Sequence, residues 1–238
     1  MLLYYITDRA QLPGSQSEKC ERLLTAARTA ARVGIDLIQL REKDLPARKL
    51  EALARALVQE LKKFPQTRLL VNSRIDVAIA AGAHGVHLPA NDISASEARV
   101  IFAKAGVVHP VIGVSCHTVA EVALAESHGA DFAVFAPVFE KEKDSKKMPA
   151  AGLAGLRDAC NRPPAAAARM PVLALGGVTL ENAAACLACG AAGIAAIRFF
   201  QMENIVEVIH RLRKLTEPNQ SQQPTTSHPY WLNMTIKK

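Results

Sequence analysis

Aromatic residues are scarce in this chain of 238 residues: one Trp, three Tyr and seven Phe, about 5 % in all. Nothing interleaves aromatics with its basic residues, so it lacks the stacking platform of a single-strand nucleic-acid binder. The formal charge of +7 is spread over helix-period segments, the Lys141 to Lys147 loop and the last two residues. Such a spread reads as a modest positive field that attracts small phosphorylated substrates, with no nucleic-acid partner. No apolar run approaches the length that crosses a bilayer, which argues against a membrane partner. The N-terminus runs straight into Leu2-Leu3-Tyr4-Tyr5-Ile6 without a secretory pattern. The five cysteines are an odd number with no framework spacing. Both features suit a cytoplasmic protein. Cys186 and Cys189 form a C-x2-C pair, but in an Ala-rich helical stretch with no second pair, so packing is the expectation. A Gly-rich dinucleotide fingerprint is also missing, which turns the argument away from a doubly wound sheet.

What is present is a repeat. Gly34, Gly82, Gly129 and Gly190 each follow an Ala-rich helical stretch and precede an apolar strand. A Gly there suits the left-handed residue that ends a helix. Spacings of 48, 47 and 61 residues hold two βα units apiece. Second strands are expected at Leu2 to Ile6, Arg68 to Val71, Val111 to Val114 and Pro171 to Leu175. Eight βα units over residues 1–215 predict an α/β fold, a single-domain (β/α)8 TIM barrel. After Leu215 the chain turns polar and Pro-containing, so 216–238 is expected to be a flexible tail that includes Trp231.

In such a barrel the chemistry sits where strands end. Thr7 and Asp8 follow the first strand, and Gln39, Arg41 and Lys43 follow the second. Alternation points those three to one side and Glu42 to the other. An Arg fork and a Lys point charge at one strand end form a grip for phosphate oxygens. Asn72, Ser73 and Arg74 end the third strand; His87 closes the fourth, with Asp92 beyond it. Ser115, Cys116 and His117 end the fifth, where His117 is placed to act as an acid or base. Gly176-Gly177 permits close backbone approach to an anion, Thr179 is expected to cap the next helix, and Ile197-Arg198 follows the eighth strand.

Taken in order, Gln39-Leu40-Arg41-Glu42-Lys43, Asn72-Ser73-Arg74-Ile75-Asp76, Gly85-Val86-His87-Leu88, Ile112-Gly113-Val114-Ser115-Cys116-His117 and Leu175-Gly176-Gly177-Val178 resemble the thiamine-phosphate synthase/TenI family. The likeness spans nearly the whole barrel. It implies one of two activities in thiamine biosynthesis. A synthase joins a pyrimidine diphosphate to a thiazole phosphate and needs Mg2+ on the leaving diphosphate. A TenI-like tautomerase moves a proton on a thiazole carboxylate phosphate and needs no metal.

The resemblance assigns Gln39, Arg41, Lys43 and Asn72 to the pyrimidine diphosphate and Asp92 to Mg2+. It assigns Gly176, Gly177 and the Ile197-Arg198 backbone or side chain to the thiazole phosphate. His117 falls at the proton-transfer position, with Ser115 lining the pocket, and Lys43 counts with them as catalytic, binding a carboxylate in the tautomerase reading and a diphosphate in the synthase reading. The chain departs from the synthase pattern at Ser73, where a second Mg2+-binding Asp is implied, and after the sixth strand. There Ala136-Pro137-Val138-Phe139-Glu140-Lys141-Glu142-Lys143 lacks the pattern's threonines. A Mg2+ site weakened by loss of a carboxylate puts the tautomerase first among the expectations. The synthase is the alternative, and a non-catalytic precursor-binding regulator the third. A homo-oligomer is compatible with all three.

Overall fold

The computed structural model describes residues 1–139, 149–163, 169–201 and 204–216. The expected tail from residue 217 onward, with Trp231, and the Glu140–Lys143 stretch lie outside them. Eight strands alternate with helices: β1 (Leu2–Ile6), α1 (Gln16–Arg32), β2 (Leu37–Leu40), α2 (Ala47–Leu61), β3 (Arg68–Asn72), α3 (Ile75–Ala81), β4 (Gly85–Leu88) and α4 (Ala95–Lys104). The second half continues as β5 (Val111–Cys116), α5 (Val119–Ser127), β6 (Phe132–Phe135), α6 (Gly152–Asn161), β7 (Val172–Ala174), α7 (Ala183–Ala188), β8 (Gly193–Ala196), α8 (Arg198–Gln201) and α9 (Ile205–Lys214). Every strand pairs in parallel with the next, and β8 closes on β1 with Leu3 opposite Ile194. This is the expected (β/α)8 barrel.

All four repeat glycines have positive φ, between 71° and 96°, and each stands between a helix and the strand it feeds. Several helix starts carry their own signal. Ser15, Ser94 and Thr118 form capping boxes with Glu18, Glu97 and Glu121 at the heads of α1, α4 and α5.

Two apolar cores follow from strand alternation. Leu2, Tyr4, Ile6, Leu37, Leu70, Phe132, Val134 and Leu173 point inward and fill the barrel. Their neighbours Leu3, Tyr5, Ile38 and Leu69 point outward under the helices. Cys186 and Cys189 are both buried, and burial pushes the Cys186 thiol up to about 11.

Glycines at two interior positions set the barrel's close contacts. A Cβ on Gly85 would sit 1.8 Å from the carbonyl oxygen of Val111 on the adjacent strand. One on Gly113 would lie 2.3 Å from the Phe132 ring, which occupies that space. The backbone at Val111 cannot yield without breaking the β4–β5 ladder. Gly85→Ala should therefore cost about 3 kcal/mol, roughly 6–12 °C in melting temperature for a domain of this size. A thermal melt by circular dichroism checks this; an unchanged midpoint would contradict the contact.

Candidate active site

The inward parity continues past the strand ends and carries Gln39, Arg41 and Lys43 on β2, Asn72 on β3, His87 on β4 and Ser115 on β5. Gln39 is fully buried and donates from Nε2 to the Tyr4 hydroxyl at 2.9 Å. Arg41 is half-buried and Lys43 exposed at the mouth.

The opposite parity carries Glu42, and the structure gives it a definite job. Its buried carboxylate accepts from Thr7 Oγ1 at 2.6 Å, from the Arg9 amide at 3.0 Å and from Arg9 Nη1 at 3.0 Å. Burial pushes this carboxyl up, while Thr7 and Arg9 pull it back. Arg9 also forks onto Asp44 at 2.6 and 2.7 Å, and Thr7 Oγ1 accepts the Arg41 amide at 3.0 Å. The ends of β1 and β2 are thus tied together immediately beside Arg41 and Lys43. Sequence reasoning placed Glu42 on the correct side but gave it no partner, and it passed over Arg9. The available signal was a lone carboxylate between two cations, facing the Thr7-Asp8-Arg9 run.

Across the mouth, Asn72 Nδ2 donates to Ser73 Oγ at 3.1 Å, and the Ser73 amide donates to the His87 carbonyl at 2.9 Å. Ser73 has φ of 59°, a left-handed conformation uncommon outside Gly, Asn and Asp. Asp92 is exposed in the turn after β4, with Oδ1 accepting the Ile93 amide at 2.9 Å. Among the described residues no group of three or more His, Cys, Asp or Glu gathers as a metal cage.

His87 is buried inside the barrel between Tyr4 and Phe132, with ring centroids 5.6 and 6.1 Å away. Its Nε2 lies 2.8 Å from Ser115 Oγ. Burial, helped by the nearby Arg41 cation, pushes the imidazole down to about 3. His117 is turned toward β6, where its Nδ1 donates to the Ala136 carbonyl at 2.6 Å and its amide to Glu121 Oε2 at 2.5 Å. Because a carbonyl only accepts, Nδ1 carries the proton, and in the neutral tautomer Nε2 keeps the lone pair.

A concavity of about 450 Å3 opens between the ends of β1, β7 and β8. Gly176, Gly177, Ile197 and Arg198 line it together with Asp8 and Gln11. A Cβ on Gly176, at φ of 95°, would lie 2.8 Å from Pro137, so only glycine fits there. Arg198 Nε donates to Gln11 Oε1 at 3.2 Å, and Gln11 Nε2 donates to Asp8. Thr179 does not cap a helix as expected. Asn182 Oδ1 instead accepts the Thr179 amide at 2.8 Å, its Nδ2 donates to the Gly177 carbonyl at 3.0 Å, and α7 starts only at Ala183. That side-chain loop takes up the turn a longer helix would have used.

A closed (β/α)8 barrel with polar groups converging on the C-terminal mouth defines the class, a barrel built as that fold's enzymes are. The family model for thiamine monophosphate synthase matches residues 3–200. A thiamine-phosphate synthase of Methanoculleus marisnigri is 42 % identical over 173 residues, 72 % of this chain and 76 % of that protein. One from Roseiflexus castenholzii is 37 % identical over 196 residues, 82 % and 79 % of the two chains. A solved thiamine phosphate pyrophosphorylase from Pyrococcus furiosus superposes with a TM-score of 0.72 at 30 % identity, covering 90 % of this chain and 94 % of its own. The chain belongs to the thiamine monophosphate synthase family. Among the described residues no helix is long and apolar enough to cross a membrane.

The buried histidines also set a pH dependence. His84 accepts the Leu69 amide at Nδ1, at 3.0 Å, and burial with the Arg68 cation pushes it down to about 4. His84 and His87 both titrate below the unfolded value near 6.5, so the native barrel favours their neutral forms. The stability they contribute is complete above about pH 6.5 and is lost as pH falls toward 4 and then 3. Denaturant titrations should show an extra loss of about 1.4 kcal/mol per pH unit for each imidazole. His84→Asn, which keeps an acceptor for the Leu69 amide, should remove one such contribution between pH 6 and 4.5. An unaltered slope would count against the assignment.

Proposed function

We propose that this protein is a thiamine-phosphate synthase, coupling a pyrimidine diphosphate to a thiazole phosphate and releasing diphosphate. The observation that carries this reading is a pair of polar stations at one mouth, each suited to hold an anion. The first is the Arg41–Lys43 strand end held by Glu42. The second is the Gly176-Gly177 concavity with Arg198. A coupling reaction has two phosphorylated reactants to hold, whereas a proton shift on one thiazole carboxylate phosphate has one. Relatives 37–42 % identical that bear the synthase name support the same choice. The order expected from Ser73 is thereby reversed.

In this reading Arg41, Lys43, Gln39 and Asn72 orient the diphosphate. Gly176, Gly177 and the Ile197-Arg198 segment hold the thiazole phosphate. The pyrimidine methylene carbon loses its bond to the diphosphate oxygen and gains one to the thiazole nitrogen. Negative charge builds on the departing oxygens, where Arg41 and Lys43 stabilise it most in the transition state. The donor set fits Mg2+ arriving on the diphosphate, since one carboxylate plus substrate phosphates is a usual Mg2+ environment. Asp92, in the loop after β4, would hold the ion, which would supply charge neutralisation of the leaving group.

A second reading rests on His117. With Nδ1 committed to Ala136, its Nε2 has the lone pair that a general base needs, as a thiazole tautomerase would.

The test is a thiamine phosphate assay with pyrimidine diphosphate, thiazole phosphate and Mg2+, read by oxidation to a fluorescent product. Turnover that chelator abolishes, and that Lys43→Ala lowers by about a hundredfold, is the expected result. No product beside a working control synthase would remove the coupling reaction. Proton transfer that persists in chelator and disappears in His117→Asn would then make the tautomerase the function.

A further inference from the structure

The large apolar side chains that stand in solvent gather on one flank of the barrel. Among the described residues, five of the six lie between positions 93 and 124, on α4, α5 and the loops beside them. Val108 is 75 % exposed, Leu124 56 % and Val100 53 %. Singly exposed apolar residues are ordinary, whereas a group of them on neighbouring helices marks a contact surface. Arg99 ties the two helices together, its Nη2 donating to the Gly129 carbonyl at 2.7 Å in the loop after α5. The outer face of α5 carries no charge. Its exposed side chains are Ala120, Ala123, Leu124 and Ser127, and both carboxylates of the helix are committed elsewhere. Glu121 closes the capping box, and Glu126 pairs with the buried Arg162 at 3.0 Å. By contrast α1 turns Glu21, Arg22 and Arg28 outward, the surface that a solvent-facing helix usually has.

The charges of α4 point to what covers this flank. Glu97, Val100, Ile101 and Lys104 follow the i, i+3, i+4, i+7 spacing of one helix face, and all four are exposed. An acid stands at one end, a base at the other, and two apolar residues between them. Glu97 and Lys104 lie about 10 Å apart along the helix, too far to pair within α4. Both capping contacts of Glu97, from the Ser94 amide and hydroxyl, use Oε2 and leave Oε1 open. A half-turn about an axis perpendicular to α4 lays a second α4 antiparallel on the first. Each Glu97 then meets the other chain's lysine, so one face is complementary to itself. Antiparallel helices also set opposite dipole ends together. We propose that this protein forms a homodimer in which the α4–α5 flank packs on the same flank of a second copy. Val100 and Ile101 lie at the twofold axis, and the uncharged face of α5 extends the buried centre.

Sedimentation equilibrium on the full chain, between about 1 and 100 μM, should show a species of twice the chain mass. Leu124→Glu and Val100→Glu should each raise the dimer dissociation constant by about thirtyfold or more, since the twofold axis counts each buried charge twice. Glu97→Lys and Lys104→Glu should each weaken the dimer by about tenfold, and the two together should restore it to within about threefold of wild type. Because the two positions do not touch within one helix, that recovery reports pairing between chains. A melting curve for each variant separates loss of association from failure to fold. A wild-type chain that stays monomeric throughout the range would overturn the proposal. So would a dimer that survives both Leu124→Glu and Val100→Glu, which would use another face. A double charge variant no better than the single ones would overturn the antiparallel pairing. A wild-type monomer whose melting temperature falls on Leu124→Glu would assign the flank to a segment of its own chain, and the proposal would fail with it.

Discussion

Glu42 is a carboxylate taken out of water, and its three partners all come from the end of the neighbouring strand. Burying a charge is costly unless paired and hydrogen-bonded. Here the pairing is complete: a hydroxyl, an amide and a guanidinium converge on it from Thr7 and Arg9. Because side chains alternate, anchoring Glu42 on the outer parity determines where its neighbours go. Arg41 and Lys43 must leave on the inner parity, toward the mouth. Removing Glu42 would leave the Arg9 guanidinium buried with only the exposed Asp44 to answer it, which makes the node self-enforcing. The cation pair owes its position to a contact made on the far side of the strand.

The same alternation stacks the interior. Apolar side chains fill the lower barrel, and Tyr4 and Phe132 form its roof. On that roof rests a polar layer, with Gln39 bonded to the Tyr4 hydroxyl and His87 bonded to Ser115. A dry floor under a polar layer strengthens every electrostatic contact above it. It also keeps His87 neutral, since a charged imidazole would face both burial and the Arg41 cation. The mouth above presents two different faces. The β2–β5 side presents cations, amides and hydroxyls, and the β7–β8 side presents bare backbone at Gly176 and Gly177.

Much of the fold was legible because it depends on local rules repeated eight times. A glycine ending a helix, followed by an apolar run, means the same thing at residues 34, 82, 129 and 190, and all four glycines have positive φ. Strand-end positions were legible for the same reason, since alternation fixes direction. What alternation cannot disclose is a partner. Glu42 meets Arg9 across a separation of 33 residues, and nothing in the spacing of either announces the other. The Thr179 expectation failed for a local reason: Asn182 offered the backbone a competing hydrogen-bonded loop, and the helix began late. His87 was legible only as a position, because its neighbours Tyr4, Phe132 and Ser115 come from three other strands.

Ser73 is a departure from the family pattern that the proposed coupling chemistry has to absorb. In the reading proposed above the mouth it adjoins takes up anions, so a carboxylate there would act in two opposite ways. It would add a hard oxygen ligand for a metal, and it would place a negative charge beside an incoming diphosphate. A serine gives up both effects at once. What remains is Asp92 on the adjoining loop, the Ser73 hydroxyl already paired with Asn72, and two cations whose placement depends on Glu42 rather than on any metal. In the coupling reading proposed above, the protein's fixed charges would carry more of the leaving group's load, and a metal would depend more on the phosphate oxygens it accompanies. In that reading the balance between fixed cations and a shared metal would rest on one side chain in a left-handed turn, with the barrel beneath it unchanged.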